Sequence, residues 1–238
     1  MKKKQNERRQ WAAVDRYFEE RLLPADEALD AAIKANHEAE LPAIDVTPLQ
    51  GRFLELLVRI SGARRILEIG TLGGYSTIWL ARALPEDGHL VTLELVPRHA
   101  KVARANLERA GLLNRVELRE GRAGESLERL VAEHAAPFDL IFIDADKAGN
   151  PEYLQWSIKL SRPGTVIILD NVVRDGRVID ADDPDPDILG IRRFTELVAA
   201  EPRLSATVLQ TVAGKGYDGF ALAIVLPLET ASLANPAS

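Results

Sequence analysis

The sequence predicts an α/β protein built on a doubly wound, mostly parallel sheet of seven strands, with a C-terminal antiparallel hairpin and extra N-terminal helices. Short β-branched segments alternate with amphipathic helical segments after Gly62, a pattern typical of parallel βαβ units with both sheet faces covered. No Gly/Ser-rich or Pro-rich linker separates two cores within the 238 residues, of which 46% are hydrophobic. We therefore expect one large domain.

The first 46 residues are predicted to form accessory helices of that same domain. Apolar side chains recur at helical spacing along one face, namely Trp11, Val14, Phe18 and Leu22. A second helical segment, ADEALDAAIKANHEAE, follows Pro24. A third helix is expected to begin at Thr47 as N-cap, with Pro48 in its first turn. Its apolar face is predicted to pack on the core through Leu49, Phe53, Leu56, Leu57 and Ile60.

The chain after Gly62 alternates between predicted strands and predicted helices. The strands are RRILEIG, HLVTLEL, RVELREG, FDLIFID and GTVIILD, and the helices that follow them are YSTIWLARAL, PRHAKVARANLERAG, GESLERLVAEH, NPEYLQWSIKL and DILGIRRFTELVAA. Two further apolar runs, RLSATVLQTV and YDGFALAIVL, are joined by a Gly-containing turn and predict a closing hairpin. This order is typical of a Rossmann-like sheet.

The composition excludes several classes of protein. A formal net charge of −6 disfavours a nucleic-acid partner, and the lack of cysteine excludes disulfides, thiolate catalysis and zinc–thiolate sites. The start MKKKQNERRQ is followed by charged residues where a signal peptide needs an apolar core. The longest apolar run, FALAIVLPL, has nine residues and is too short to span a membrane as a helix. We expect a cytoplasmic protein.

The first strand ends in a glycine-containing turn, LEIGTLGGYS, at the place where open parallel sheets bind ligands. Its spacing, Gly70-x-x-Gly73-Gly74, differs from the G-x-G-x-x-G fingerprint and disfavours NAD. Glu94 ends the second strand, 24 residues after Gly70, where an acid can accept hydrogen bonds from a ribose diol. The turn alone is equally compatible with a tight strand-to-helix connection that binds nothing.

Two neighbouring strands end in acidic residues. Asp144 follows FDLIFI, and Asp170 and Asn171 come 26 and 27 residues later. Adjacent parallel strands lie about 4.8 Å apart, so these side chains can converge at one edge of the sheet. Two carboxylates and an amide oxygen suit Mg²⁺, Mn²⁺ or Ca²⁺. Either acid alone is more typical of a cap on the following helix.

Taken together, LEIGTLGGYS, Glu94, IDADK, LDN and YDGFALAIV resemble the cation-dependent O-methyltransferases that include catechol and caffeoyl-CoA O-methyltransferases. The resemblance covers residues 47 to 225, which implies accessory helices over 1–46 and a catalytic domain over 47–238. It implies metal-dependent methyl transfer from S-adenosylmethionine (SAM) to one hydroxyl of a catechol-type, vicinal dihydroxyaromatic acceptor. It also implies a homodimer, for which the stripe from Trp11 to Leu22 is a candidate contact.

The resemblance also implies roles for individual residues. Asp144, Asp170 and Asn171 would bind the divalent cation, with Mg²⁺ preferred, and Lys147 would be the general base. The expected cofactor contacts are Thr47, Glu68, Gly70, Ser76, Glu94, Ala123 and Asp144. Asp146 is interpreted as a cofactor contact or a support for its neighbours. A dication would favour the phenolate form of an acceptor whose pKa is ordinarily near 10.

Two other hypotheses remain open from the residues. One is a nicotinamide oxidoreductase, which does not explain the Asp144, Asp170 and Asn171 set. The other is a non-catalytic nucleoside-binding scaffold, against which Lys147 and the intact ligand positions count. DADDPDPD over 180–187 lacks the Gly and Glu of a calcium loop and is interpreted as a solvated segment that would border the acceptor pocket. Tyr217 and Asp218 are interpreted as strand and turn residues.

Overall fold

The computed structural model describes residues 2–227. Eight α-helices and seven strands follow one another within these residues in the order α1 Lys2–Leu22, α2 Glu27–Glu38, α3 Pro48–Ser61, β1 Arg65–Ile69, α4 Tyr75–Ala83, β2 His89–Glu94, α5 Pro97–Arg109, β3 Val116–Glu120, α6 Ala123–Ala132, β4 Phe138–Ile143, α7 Asn150–Lys159, β5 Ser161–Asp170, α8 Pro186–Ala200, β6 Leu204–Ala213 and β7 Gly216–Val225. Two short 3₁₀ segments, Lys147–Gly149 and Arg174–Ile179, lie next to the strand ends of β4 and β5.

The seven strands form one sheet in the order β3-β2-β1-β4-β5-β7-β6. Strands β1 to β5 are parallel, whereas β7 runs antiparallel to both β5 and β6. The doubly wound, Rossmann-like prediction with a C-terminal hairpin is confirmed. The chain leaves β1 towards β2 and β3 and returns to β4 on the other side, so the strand order reverses between β1 and β4. In such sheets ligands bind beyond the carboxyl ends of the strands at that point.

Successive side chains of β1 point to opposite faces of the sheet and pack into two hydrophobic cores, one on each face. Ile66 packs on one side with Leu54 of α3 and Ile78 of α4, and Leu67 packs on the other side with Leu127 of α6. Each fully buried side chain of this size contributes about 1.5–3 kcal/mol relative to its exposed state. The carboxyl end of β1 is therefore held from both faces.

Helix α3 begins as predicted, but two residues of its predicted packing face are exposed. Thr47 caps it reciprocally with Gln50, and Pro48 is its first residue. The side chains turned inward include Leu54 and Val58, whereas Leu56 is 46% exposed and Ile60 is 79% exposed. The predicted packing face was wrong for these two residues because α3 rests against α4 through Gly51. A sequence pattern alone does not show which side of an amphipathic helix a neighbouring helix will cover.

The two N-terminal helices differ in how they join the core. Leu29 and Ala32 of α2 are buried in the same core as β1. In contrast, Val14, Phe18 and Leu22 of α1 are exposed, and α1 contacts β6 and α3. None of the helices within residues 2–227 combines the length and the apolar character that crossing a membrane requires.

Candidate active site

A cavity of about 1120 Å³ opens at the carboxyl edge of the sheet, where the strand order reverses. The turns after β1, β2, β3 and β4 form its walls. The segment Ile44–Val46, just before α3, also lines it. Among the residues that line it are Gly70, Ser76, Glu94, Ala123, Asp144, Lys147 and Asn171. Most of the predicted site residues therefore lie around one space.

The glycines of the first turn permit close approach between two strand ends. Gly70 has φ +101°, and a Cβ atom there would overlap the backbone carbonyl of Asp144. Gly74 has φ +82° and precedes the first residue of α4, which is Tyr75. Side chains at these positions would be strained or would displace β4. The backbone of the turn consequently lies directly against the residues that follow β4.

Glu68 is fully buried behind this turn and does not line the cavity. It accepts hydrogen bonds from the hydroxyls of Ser76 at 2.6 Å, Thr77 at 2.5 Å and Thr92 at 2.7 Å. Burial raises the pKa of Glu68 to about 7, although the three hydroxyl donors lower it. Ser76, which does line the cavity, is thus oriented from behind by Glu68.

Glu94 lines the cavity and is fixed by backbone donors. One carboxylate oxygen accepts from the amides of Thr71 and Leu72, at 3.2 and 2.8 Å, and the other accepts from Val96 at 2.8 Å. His99 Nδ1 lies 3.4 Å from the latter oxygen. The carboxylate is held at the floor of the cavity, between the turns after β1 and β2.

Asp144, Asp170 and Asn171 converge as predicted at the ends of β4 and β5. Asp170 is 7% exposed. Burial raises its pKa, and the nearby carboxylate of Asp144 raises it further. The residue after it, Asn171, has φ +58°, which turns the chain sharply at the end of β5. A cation bound between the buried Asp170 and the partly buried Asp144 would offset the repulsion between their carboxylates.

No group of three or more His, Cys, Asp or Glu side chains within residues 2–227 is arranged to hold a metal ion. The set at β4 and β5 consists of two carboxylates and one amide instead. All three side chains offer oxygen atoms, which hard cations such as Mg²⁺ prefer, and water or substrate oxygens complete such a shell. The residues present therefore fit a divalent cation.

Lys147 lies in the 3₁₀ segment just after Asp144 and is 5% exposed. Its Nζ donates a hydrogen bond to Asp144 Oδ1 at 2.8 Å. Asp146, whose role was left open, caps this segment by accepting from Gly149 N at 2.9 Å and also accepts from the Tyr153 hydroxyl at 2.6 Å. Burial and the bond to Asp146 raise the pKa of Tyr153. Asp146 thus fixes the turn that carries Lys147.

A second cavity of about 280 Å³ adjoins the first. The two share Ile44, Asp45, Val46, Asn171 and Arg174 in their walls. Asp170 and Thr47 line the second cavity and not the first, so Thr47 lies away from the larger space. The metal-ligand candidates stand at the boundary between the two cavities.

Several residues around the second cavity were missed or underestimated by sequence reasoning. Asp218 lies in strand β7 as predicted, but its carboxylate also accepts from the amides of Val173 and Arg174, both at 3.0 Å, and thereby fixes the turn after Asn171. Lys215, at the tip of the β6–β7 hairpin, lines the same cavity. No local motif announces either role, because both depend on contacts between distant parts of the chain.

Arginine side chains brace the Asp180–Asp187 segment. Arg192 donates to the Asp180 carbonyl at 2.8 Å, and Arg174 lies 3.4 Å from Asp187. Arg177 pairs with Asp183 at 2.8 Å and with Asp185 at 2.9 Å, and Asp185 also caps α8. Asp187 lines the larger cavity. The segment is therefore an ordered border of the site at its C-terminal end.

The segment Ile44–Val46, which lines both cavities and is called the roof below, is held by two buried asparagines. Asn36 of α2 donates to Asp45 at 2.8 Å, and Asn106 of α5 donates to Asn36 at 3.1 Å and to the Gly73 carbonyl at 2.9 Å. The network links the glycine turn to the segment before α3. Burial raises the pKa of Asp45.

Known proteins resemble this chain along most of its length. The O-methyltransferase family profile matches residues 21–224. A catechol O-methyltransferase from Niastella koreensis is 53% identical over 213 residues, which are 90% of this chain and 96% of the relative. An O-methyltransferase structure from Bacillus cereus in complex with SAH is 60% identical with a TM-score of 0.91, covering 92% and 99% of the two chains. The O-methyltransferase TomG from Streptomyces achromogenes, in complex with SAM, is 50% identical with a TM-score of 0.90, covering 93% and 99%.

These similarities extend over the sheet, the glycine turn and the strand ends that form the cavities. They agree with the family resemblance of the sequence motifs and leave no support for a nicotinamide oxidoreductase. The chain belongs to the O-methyltransferase family and is a class I, SAM-dependent enzyme.

Proposed function

We propose that the enzyme transfers the methyl group of SAM to one hydroxyl of a catechol-type acceptor with the help of a divalent cation. The observation that carries the proposal is the position of Asp170 and Asn171 at the boundary of two cavities, close to Asp144 and Lys147. The larger cavity has the volume of a cofactor site and the smaller one that of a small acceptor. A relative named catechol O-methyltransferase supports this acceptor class.

SAM is assigned to the larger cavity. The backbone around Gly70 and the Ser76 hydroxyl would face its methionine part, and Glu94 would accept hydrogen bonds from the ribose hydroxyls. Ala123, the first residue of α6, would contact the nucleoside end. Glu68 would act through Ser76, and Thr47 through the helix that it caps, because neither lines this cavity.

The cation is assigned to Asp144, Asp170 and Asn171, with Mg²⁺ preferred and Mn²⁺ or Ca²⁺ also compatible with oxygen ligands. When bound, it would supply positive charge that favours the phenolate form of the acceptor. Asp144 would also border the cofactor. The pairing of Ile143 with Leu169 supports this assignment, because it places Asp144 and Asp170 side by side at the ends of β4 and β5.

Lys147 is proposed as the general base. Its Nζ lies at the edge of the ligand set, 2.8 Å from Asp144 Oδ1, to which it donates in this structure. As a neutral amine, Lys147 would accept the proton of a hydroxyl bound beside Asp170. Asp146 and Tyr153 hold the turn on which Lys147 lies. The remaining requirement is alignment of the acceptor oxygen with the methyl carbon and sulfur, which the rigid strand ends supply.

We also propose the wider organisation implied by the family. Residues 1–46 form accessory helices and residues 47–238 the catalytic domain, although α2 shares the main core. A homodimer would cover the exposed stripe of α1 that includes Val14, Phe18 and Leu22. The cysteine-free composition supports a cytoplasmic location.

The direct test is methyl transfer from SAM to a panel of catechol, caffeate, the caffeate thioester and catechol-bearing flavonoids, measured by mass spectrometry of the products. Vicinal dihydroxyaromatics should be methylated once, and a chelator should abolish the reaction until Mg²⁺ is restored. Methylation of a monohydroxy phenol at the same rate, or full activity in the chelator, would count against the proposed mechanism. Thermal stabilisation by SAH but not by NADH provides a check that needs no turnover.

A further inference from the structure

The second cavity is lined by several charged side chains, and they differ in whether they have an ion-pair partner. Four basic side chains line it: Arg8, Arg174, Arg177 and Lys215. The arginines face carboxylates, since Arg8 lies 3.8 Å from Asp175, Arg174 lies 3.4 Å from Asp187, and Arg177 pairs with Asp183 and Asp185. Lys215 has no carboxylate within 4.0 Å among the side chains that the structure describes. It is the basic group of this cavity that remains available for a ligand.

The acidic groups of the same cavity are already engaged. Asp218 accepts from three backbone amides, those of Val173, Arg174 and Gly219. Asp45 accepts a hydrogen bond from Asn36 and is partly buried beneath the roof. Asp170 belongs to the proposed cation site. Asp175, the fourth acidic residue of this wall, lies 3.8 Å from Arg8. The charge of Asp45 acts on Lys215 from beyond ion-pair distance, so none of these four carboxylates forms a direct ion pair with Lys215 among the residues that the structure describes.

A cation in its proposed site would add positive charge at the wall of this cavity. The carboxylates that act on the Lys215 ammonium from a distance are Asp45, Asp144 and Asp170. Two of these would share their charge with the cation, so the cavity would become positive on the Lys215 side as well as on the Asp170 side. An anionic group on the acceptor would then be attracted to Lys215 while the hydroxyls face Asp170 and Asn171.

We propose that Lys215 binds an anionic group of the acceptor, so that the acceptors are dihydroxyaromatic carboxylates rather than uncharged catechols. The inference rests on the proposed function and specifies its substrate class. A cavity of about 280 Å³ suits a single aromatic ring with a short substituent. The hairpin tip that carries Lys215 and the segment that contains Asp45 both line this cavity.

The test compares 3,4-dihydroxybenzoate with 3,4-dihydroxybenzamide, which differ in charge but hardly in shape. Wild type should show a higher kcat/KM for the carboxylate, and Lys215→Met should lower the carboxylate-to-amide ratio roughly 10- to 100-fold, the usual range for a hydrogen bond to a charged group. Lys215→Arg should retain most of the ratio. Lys101→Met, at an exposed position on α5 outside both cavities, is the matched control and should keep the wild-type ratio.

A merely structural role for Lys215 would lower the rates of both acceptors together and leave the ratio unchanged, which would overturn the proposal. Calorimetric binding of both compounds, in the presence of Mg²⁺ and SAH, separates this failure from failure of the proposed function. If affinity for the carboxylate depends on Lys215 although neither compound is methylated, the subsite stands and the assigned reaction fails. If both are methylated and the affinity ratio of Lys215→Met equals that of wild type, the reaction stands and the subsite is refuted.

Discussion

Replacing Lys147 by Met should have two separable effects: a slower methyl transfer, because the proposed base is lost, and a lower stability, because the ion pair with Asp144 is lost. The substitution keeps an unbranched side chain of similar length in a place that is 5% exposed, and it removes the ammonium 2.8 Å from Asp144. If Lys147 accepts the acceptor proton, methyl transfer at neutral pH should fall roughly 10²- to 10⁴-fold. Raising the pH should restore part of the rate, because hydroxide generates phenolate without the lysine.

The same change should destabilise the protein when no cation is bound. Breaking a buried pair costs about 3–5 kcal/mol, and partial exposure of the Asp144 side chain reduces this to about 2 kcal/mol. For a chain of this size, that loss corresponds to a fall in Tm of roughly 4–8 °C. Mg²⁺ should reverse most of it, because the cation replaces the missing positive charge beside Asp144 and Asp170.

Single-turnover methyl transfer over a pH range, together with thermal unfolding with and without Mg²⁺, measures both effects. Lys101→Met controls for the loss of an exposed lysine. Near-wild-type turnover of Lys147→Met at neutral pH, on an acceptor whose chemical step limits the rate, would reject Lys147 as the base. A lower Tm that Mg²⁺ fails to raise would show that the ion pair with Asp144 is unrelated to a cation site.

Three further predictions concern Asp170 of the proposed cation site, the buried acid Glu68 and the buried amide Asn36. Asp170→Ala should weaken Mg²⁺ binding at least tenfold in calorimetry and leave SAH affinity nearly unchanged, because the cofactor turn lies on other strands; equal Mg²⁺ affinity would remove Asp170 from the site. Burial raises the pKa of Glu68 from its ordinary 4.5 to about 7, so the stability of the folded protein should fall as the pH rises from about 4.5 to about 7. Glu68→Gln should lack that fall of about 1–3 kcal/mol in denaturant titrations, and parallel curves would contradict the assignment. Asn36→Ala should cost about 1–3 kcal/mol of stability and weaken SAH binding by loosening the roof at Asp45, whereas unchanged SAH affinity would show that the roof does not hold the cofactor.

The sequence was sufficient for the sheet and for the residues at its edge because both are encoded locally. A buried strand must end where its apolar run ends, and parallel neighbours end on the same side, so Asp144 and Asp170 had to approach each other. Glu94 was placed by the same reasoning. These features require no knowledge of how the chain folds back between them.

The surfaces formed by distant segments could not be predicted in this way. The Gly214 amide donates to Asp15, 199 residues earlier, and this contact brings α1 to the hairpin tip beside Lys215. Neither segment carries a pattern that specifies the other. The exposed face of α3 could not be predicted for the same reason. Leu56 and Ile60 are apolar at helical spacing, but whether they are covered depends on which distant segments pack against the helix.

The cofactor turn and the proposed cation set are held as one unit by the backbone. Asp144 N donates to the Ile69 carbonyl at 2.8 Å, Gly70 N donates to the Leu93 carbonyl at 3.0 Å, and Gly70 leaves no room for a side chain against Asp144. In-line methyl transfer requires the sulfur, the methyl carbon and the acceptor oxygen to be aligned, and displacement by about 1 Å can cost roughly 100-fold in rate. Because the turn that would hold the methyl donor and the strand end that would orient the acceptor are bonded directly to each other, a shift of one moves the other with it. The proposed alignment would therefore rest mainly on backbone contacts at the edge of the sheet.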